Sequence, residues 1–410
     1  MIMNDTPGGG DERAFDGEAA HGELVSLARR LVEIPSHDDE TAAGDAIERW
    51  LRGETGAVVE RDGAGNVLAR RTPPGVPADD IRNDERPTFA LVGHHDVVPP
   101  AQSQVAAGTV ESADSYAVDR RDGRLYGRGT ADMKGAVAAC LLAFRDADLG
   151  GDGAGAGGEA PDLAFASFVG EETGGEGARA AIDDGFVPDY ALVAEGSTNY
   201  SKAGVTDVAV AHKGRRASRL LARGTAAHAS EPDRGENAIY RASDAVDVVR
   251  ELPFPQAEVL GERLQATLAV TEIDGGSAWN VIPERCEITV DERTVPGKRA
   301  DLERATELPG VDLEIDQDLP PMACSDDAFA EQILEAARTA QTGTPEHVTK
   351  PHATDAGWLA AAGTACVVCG PAEPGEAHTD TESVSIDVLE RCYRIYRGAA
   401  ERVSRESGET

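Results

Sequence analysis

Residues 88–99 read TFALVGHHDVVP, and this stretch decides the fold. Six residues from Thr88 to Gly93, apolar but for the first, are too short a run for a buried helix and suit a strand covered on both faces, as in an open α/β sheet. Such sheets place their sites at the carboxyl ends of strands, where His94 would emerge. Asp96, two residues on, can accept the spare ring N–H of His94 and so fix its tautomer and orientation. A second apolar run, Leu163 to Val169, ends in the adjacent acids Glu171 and Glu172. One can ligate a metal while its neighbour, aimed differently, handles a proton. With Asp132 in YGRGTADMKG, Glu195 in VAEGS and His378 in AHTDTE, these residues form a set of imidazole and carboxylate donors suited to zinc or a similar divalent ion. A shared carboxylate, for which Asp132 is the candidate, would let two ions sit roughly 3.5–4 Å apart.

Around this nucleus the chain reads as an α/β protein. Leu24, Leu27, Leu31 and Ile34 follow helical spacing up to Pro35, a second helix is expected over about 40–52, and short strands near 57–60 and 66–70. Another helix begins just after Asp132. Met1 to about Ala20 has the composition of a disordered tail, and the glycine-rich stretch Gly150–Gly158 that of a flexible loop. From about His212 the pattern changes to a strand, a helix over about 237–251, a strand over 265–273, a turn at Gly275-Gly276 and a strand over 287–293. The helix 326–340, a strand around Cys366 and a last helix over 386–402 return to the first pattern.

Six segments, GHHDVV, GRGTADMKG, EETGGEG, AHASEPDRGENAI, NVIPERCEITVDERTVPG and GPAEPGEAHTDTE, occur in the order found in the zinc-dependent M20 family of amidohydrolases and peptidases, which the chain resembles from about Leu24 to about Arg397. The resemblance implies a zinc-peptidase-like catalytic domain, a mixed sheet flanked by helices, over 21–210 and 319–410. A smaller α+β lid or dimerisation domain would be inserted over 211–318. It further implies that His94, Asp132 and Glu195 hold one metal and Asp132, Glu172 and His378 the other, zinc first, with cobalt or manganese as alternatives. Glu171 is then the general base. His228 would steady the tetrahedral oxyanion, often from a partner protomer, and Asn280 and Arg293 would contact substrate, Arg293 as a planar fork on a carboxylate. The implied reaction is amide hydrolysis in an N-acyl amino acid or short peptide, a dipeptidase or carboxypeptidase activity and a non-catalytic metal-binding role being the alternatives. Relatives also carry a cis peptide just after the aspartate of GRGTADMKG.

Two departures stand out. Several relatives have an arginine after the TDA segment, where this chain has Gly357 followed by Trp358; a roomier or less anion-selective pocket is the expectation, with Arg293 left as the main carboxylate contact. The aromatic-plus-proline segment before GRG is replaced by SerTyrAlaValAsp, residues 115–119.

Composition carries a separate message. Seventy-four acidic against 39 basic residues give a net charge of −35, and only five of the basic residues are lysines. Such a charge repels itself in dilute buffer and is relieved by concentrated salt, which points to a halophilic source. Nucleic acid and anionic membranes are poor partners for it. No run of about 18 apolar residues suggests a membrane span, the first twenty residues do not read as a secretory signal, and the six cysteines suggest no disulfide framework. The expected home is the cytoplasm. Cys366 and Cys369 form a CxxC inside an apolar run that reads as a buried strand.

Overall fold

The computed structural model describes residues 12–74, 86–110, 112–150 and 161–406. Thr88–His94 is a strand near the centre of a nine-stranded mixed sheet. It pairs in parallel with Asp162–Phe168 on one side and Tyr190–Val193 on the other. The sheet runs outward through Val67–Arg71 and Val58–Arg61 at one edge, both antiparallel. In the other direction come Ala365–Val368, parallel, and Val208–His212, antiparallel, with Met322–Ala323 and His347–Lys350 beyond. Alternation along the central strand explains its apolar run: Phe89 and Leu91 face one core, Ala90 and Val92 the other.

The first core is covered by α1 (Glu12–Val32), α2 (Thr41–Glu54) and α3 (Lys134–Asp146), together with later helices of the chain. The second is covered by α4 (Glu176–Asp183), through Ala178 and Ala181, and by Leu359. Every residue of α3 from Lys134 to Phe144 is buried, so this helix runs through the body rather than over it.

A separate antiparallel sheet of four strands, ordered Thr267–Gly275, Arg285–Arg293, Arg215–Arg223 and Val311–Leu319, occupies the middle of the chain. Helix α5 (Ala238–Glu251) packs Ala242, Ala245 and Val249 against Leu220, Ile288 and Val290 of this sheet. Asn237 caps α5 by accepting the Ile239 N–H at 2.9 Å. The crossing between the two sheets is tight: Gly214 and Thr294 exchange both main-chain hydrogen bonds at 3.1 Å, and a Cβ on Gly214 would lie 2.3 Å from the Leu319 carbonyl oxygen. The chain then returns through α6 (Asp327–Ala340), capped by Asp326, α7 (Ala356–Ala361) and α8 (Ile386–Glu406).

Several element bounds differ from those read in the sequence. Helix α1 reaches back to Glu12, so residues 12–20 are helical rather than tail; extending a formed helix costs far less than nucleating one, and GluAlaAla favours it. Residues 1–11 and the glycine-rich 151–160 lie outside the described residues. The small sheet runs from Arg215 to Leu319, because Val208–His212 stays in the large sheet.

Candidate metal centre

The carboxyl ends of three adjacent parallel strands converge. His94 closes Thr88–His94, Glu171 and Glu172 follow Asp162–Phe168, and Glu195 follows Tyr190–Val193. Asp132 comes from the turn before α3, where the Asp132–Met133 peptide is cis, and His378 from the loop after Ala365–Val368. His94 Nε2 lies 3.0 Å from Asp132 Oδ1 and 3.4 Å from Glu195 Oε1. His378 Nε2 lies 3.1 Å from Asp132 Oδ2 and 3.0 Å from Glu172 Oε1. Thus two groups, His94–Asp132–Glu195 and Asp132–Glu172–His378, share Asp132, with the ligand atoms of each group within 4.8 Å of one another. Each mixes imidazole nitrogen with carboxylate oxygen, the donor chemistry that zinc, cobalt or manganese accepts, so the residues fit two divalent ions.

In the protein alone, protons on the two imidazoles balance part of this acidity. Burial works against a charged His94, but Asp96, Asp132 and Glu195 hold its pKa well above the ordinary value. Hydrogen bonds to Asp132 and Glu172 push His378 up to about 10. Asp132 is held far below the usual carboxylate range: burial opposes its charge, and the two imidazoles outweigh burial. Asp96 sits beneath His94, with ring Nδ1 3.1 Å from its main-chain carbonyl oxygen and 3.2 Å from its carboxylate Oδ1. Its Oδ2 accepts the Glu172 N–H at 3.0 Å, tying His94 to the glutamate pair.

Glu171 stands apart from these contacts. Burial, helped by Asp355, Glu195 and Asp132, pushes its carboxyl well above the ordinary range. With Asp132, Glu172, Glu195 and His378 it lines a cavity of about 320 Å³.

Other residues singled out in the sequence lie elsewhere. His228 is exposed on the short strand Ala227–His228, its Nδ1 2.7 Å from Ser230 Oγ. Val281 pairs with His228 across the short ladder, and Asn280, just before it, accepts the Ala229 N–H at 2.9 Å through its main-chain oxygen. Neither His228 nor Asn280 lines the cavity. Arg293 donates from Nε to Asp291 Oδ1 at 2.8 Å, an ion pair within its own strand. His95 is buried with Nδ1 2.8 Å from Ser167 Oγ, and burial brings its pKa down to about 3.

The expectation of a roomier pocket at Gly357 fails on packing. A Cβ there would lie 2.2 Å from the Pro320 carbonyl oxygen and 3.2 Å from the His212 ring, so the space an arginine would need is filled by protein. Trp358 instead packs beside Gly175 and under Arg179, whose guanidinium lies 5.1 Å from the ring centroid. The altered segment 115–119 places Tyr116 in the interior, its hydroxyl 2.6 Å from His37 Nδ1.

Sequence reasoning passed over several groups that the fold brings to the site. Glu382 is fully buried; its Oε1 accepts the N–H groups of Gly129, Ala131 and Asp132 at 2.9, 2.9 and 3.2 Å, and its Oε2 accepts from Arg128 Nη1 at 2.6 Å. It therefore ties the segment carrying His378 to the turn carrying Asp132, and its place in AHTDTE was the available signal. Asp355, in the TDA segment, has a buried Oδ1 without a hydrogen-bond partner among the described residues, and burial pushes its pKa up to about 8. Lys350, Tyr200 and His352 line the cavity and had no motif to mark them.

With the geometry in hand, comparison with known proteins gives a consistent result. The sequence profile of peptidase family M20/M25/M40 matches residues 90–402. An acetylornithine deacetylase of Myxococcus xanthus is 30% identical over 327 residues, 76% of this chain and 78% of the relative. A succinyl-diaminopimelate desuccinylase of Acidiphilium cryptum is 28% identical over 392 residues, 89% and 91% of the two chains. Among solved structures, the aminopeptidase PepT of Bacillus cereus shares the fold with a TM-score of 0.72 at 20% identity, covering 93% of this chain and 98% of its own. A dinuclear metal-binding peptidase from Bacillus subtilis does so with a TM-score of 0.67 at 15% identity, covering 94% and 99%. The chain is a hydrolase and belongs to peptidase family M20/M25/M40.

Proposed function

We propose that the protein hydrolyses an amide bond in an N-acyl amino acid or a short peptide, with two divalent ions, zinc in the first instance, held by His94, Asp132 and Glu195 and by Asp132, Glu172 and His378. The observation that carries this reading is Glu171: a carboxyl of raised basicity beside two donor groups that share one aspartate, at the wall of a substrate-sized cavity. The ions, when bound, supply Lewis-acid polarisation of a carbonyl and lower the pKa of water. Glu171 takes a proton from the attacking water and returns it to the leaving nitrogen. Asp96 keeps the His94 ring in register, and Glu382 holds the Asp132 turn. The names of the curated relatives favour deacylation, and the dipeptidase or carboxypeptidase reading draws only on fold neighbours.

The small sheet is proposed as a lid and as the surface of a homodimer. Support comes from its edge strand Thr267–Gly275 and from Tyr240, Ile273 and Trp279, which are 71%, 56% and 97% exposed. In that arrangement His228 and Asn280, which do not line their own cavity, would reach the partner's. The cytoplasm is the proposed site of action, in keeping with six free, buried thiols; no helix among the described residues is long and apolar enough to cross a membrane.

The test is mass-spectrometric product detection in multimolar KCl with Zn²⁺ or Co²⁺, against N-acetyl, N-succinyl and N-formyl amino acids and dipeptides. Hydrolysis abolished by a chelator is expected. Silence across the panel with metal bound would favour a non-catalytic metal-binding role.

A further inference from the structure

One wall of the cavity is cationic and has no part in the proton transfers above. Lys350 ends the strand His347–Lys350, and only 7% of its side chain is exposed. Its ammonium donates to Glu195 Oε2 at 3.0 Å and to the Gly196 carbonyl at 3.2 Å. An ammonium has three N–H donors, so one is left without a protein partner among the described residues on a side chain that lines the cavity. Tyr200 and His352 line the same cavity, and among the described residues neither side chain makes a hydrogen bond. The Tyr200 phenol supplies an O–H donor, and burial raises its pKa against the lowering effect of the Lys350 charge.

The other cation offered by the sequence for recognising an anion, Arg293, does not line this space, although its charge reaches His352 on the rim. Arg293 is paired with Asp291, and the backbone at Gly357 leaves no room for a side chain. A buried ammonium among carboxylates needs good partners to offset its desolvation, and Glu195 with Gly196 satisfies only part of it.

We propose that Lys350 and Tyr200 form an anion subsite that takes a carboxylate of the substrate, with His352 on its rim. The inference rests on the amide-hydrolase reading and assigns the residues that hold the free carboxylate such substrates carry. That group can be the α-carboxylate of the amino acid released or a carboxylate on the acyl part, as in a succinyl group.

The experiment compares kcat/KM for the panel substrate turned over best with that for its carboxamide, and for the N-succinyl against the N-acetyl form of the same amine. Both pairs are run on the parent, Lys350→Met and Tyr200→Phe proteins, with bound metal counted by elemental mass spectrometry. A charged hydrogen bond predicts that the parent favours one carboxylate-bearing member by about tenfold or more, and the responsive pair says which carboxylate docks. That ratio should collapse in Lys350→Met and fall several-fold, through KM and with full metal, in Tyr200→Phe. Equal losses on both members of each pair, with metal lost from Lys350→Met, would make Lys350 a prop for Glu195 and overturn the subsite. Should no substrate be turned over, calorimetric titration of the metal-loaded protein with N-acetyl-L-methionine and N-succinyl-L-methionine, each with and without its α-carboxylate capped as the amide, separates the two ideas. Carboxylate-dependent binding would then retain the subsite while removing the hydrolase reading, and binding that is absent or indifferent to the carboxylates would overturn the subsite.

Discussion

Two adjacent glutamates carry different loads because their surroundings differ. Glu172 has its Oε1 3.0 Å from His378 and its N–H on Asp96, so it is tied into the donor set. Glu171 has no such tie: burial raises both carboxyls, Glu171 well above the ordinary range, and the His378 hydrogen bond works against the rise at Glu172. Glu171→Gln is therefore expected to cut kcat by roughly 10²–10⁴-fold, the usual worth of a general base, while two ions stay bound. Glu172→Gln should instead lose metal, and metal counts on both purified variants decide between the assignments. Glu382 acts one step further back. Glu382→Gln leaves an acceptor for the three N–H groups but sets an amide N–H against the buried Arg128 guanidinium. Breaking one side of a buried ion pair costs about 3–5 kcal/mol, so the denaturant midpoint should fall markedly. A midpoint unchanged from the parent would mean that Arg128 finds another acceptor.

At the scale of elements, the strands bearing ligands were legible because each is an apolar run followed at once by a chemically loaded residue: Thr88–His94 by His94 itself, Asp162–Phe168 by Glu171 and Glu172. A strand covered on both faces has to read that way. What was not legible depends on pairing between distant segments. Lys350 reaches Glu195 because His347–Lys350 lies parallel to Val208–His212, and nothing local in either strand announces that register. Gly357 was misread for the same reason, since the atoms that exclude a side chain belong to Pro320 and His212. His212 also carries a consequence for acid stability. It is fully buried between the Lys213 carbonyl and Thr354, and burial brings its pKa down to about 4 from 6.5. Between those values the unfolded chain binds a proton that the folded protein refuses, so stability falls as pH drops from about 6.5 toward about 4, by about 1.4 kcal/mol per unit for one such group. His95, with its pKa brought down to about 3, adds to the same slope. His212→Gln should flatten the acid limb by one proton in urea titrations across that range; an unaltered slope would mean that His212 is already protonated in the folded protein.

For the molecule as a whole, a net charge of −35 acts on every exposed acid at once. Salt has two opposed effects on it. Exposed pairs such as Arg29–Glu33, Arg223–Asp312 and Arg338–Glu331 weaken as they are screened, but each is worth only about 0–1 kcal/mol to begin with. The unpaired acidic excess repels over the whole surface, and that repulsion is what shrinks as the Debye length falls from about 10 Å at 0.1 M to about 3 Å at 1 M. Repulsion is the larger of the two because the acids outnumber the bases 74 to 39, so most of the excess has no partner to lose. We therefore propose that the fold is built for concentrated salt: the thermal midpoint should climb steeply with KCl through the molar range, and activity should follow it. Charge screening and solvent exclusion are separable here. If screening dominates, KCl should stabilise far more than sucrose at equal osmolality, and replacing exposed glutamates by glutamine on the small sheet should raise the midpoint in dilute buffer while reducing the gain from salt. A midpoint that is flat in KCl, or that sucrose raises equally, would mean that the acidic surface does not strain the fold.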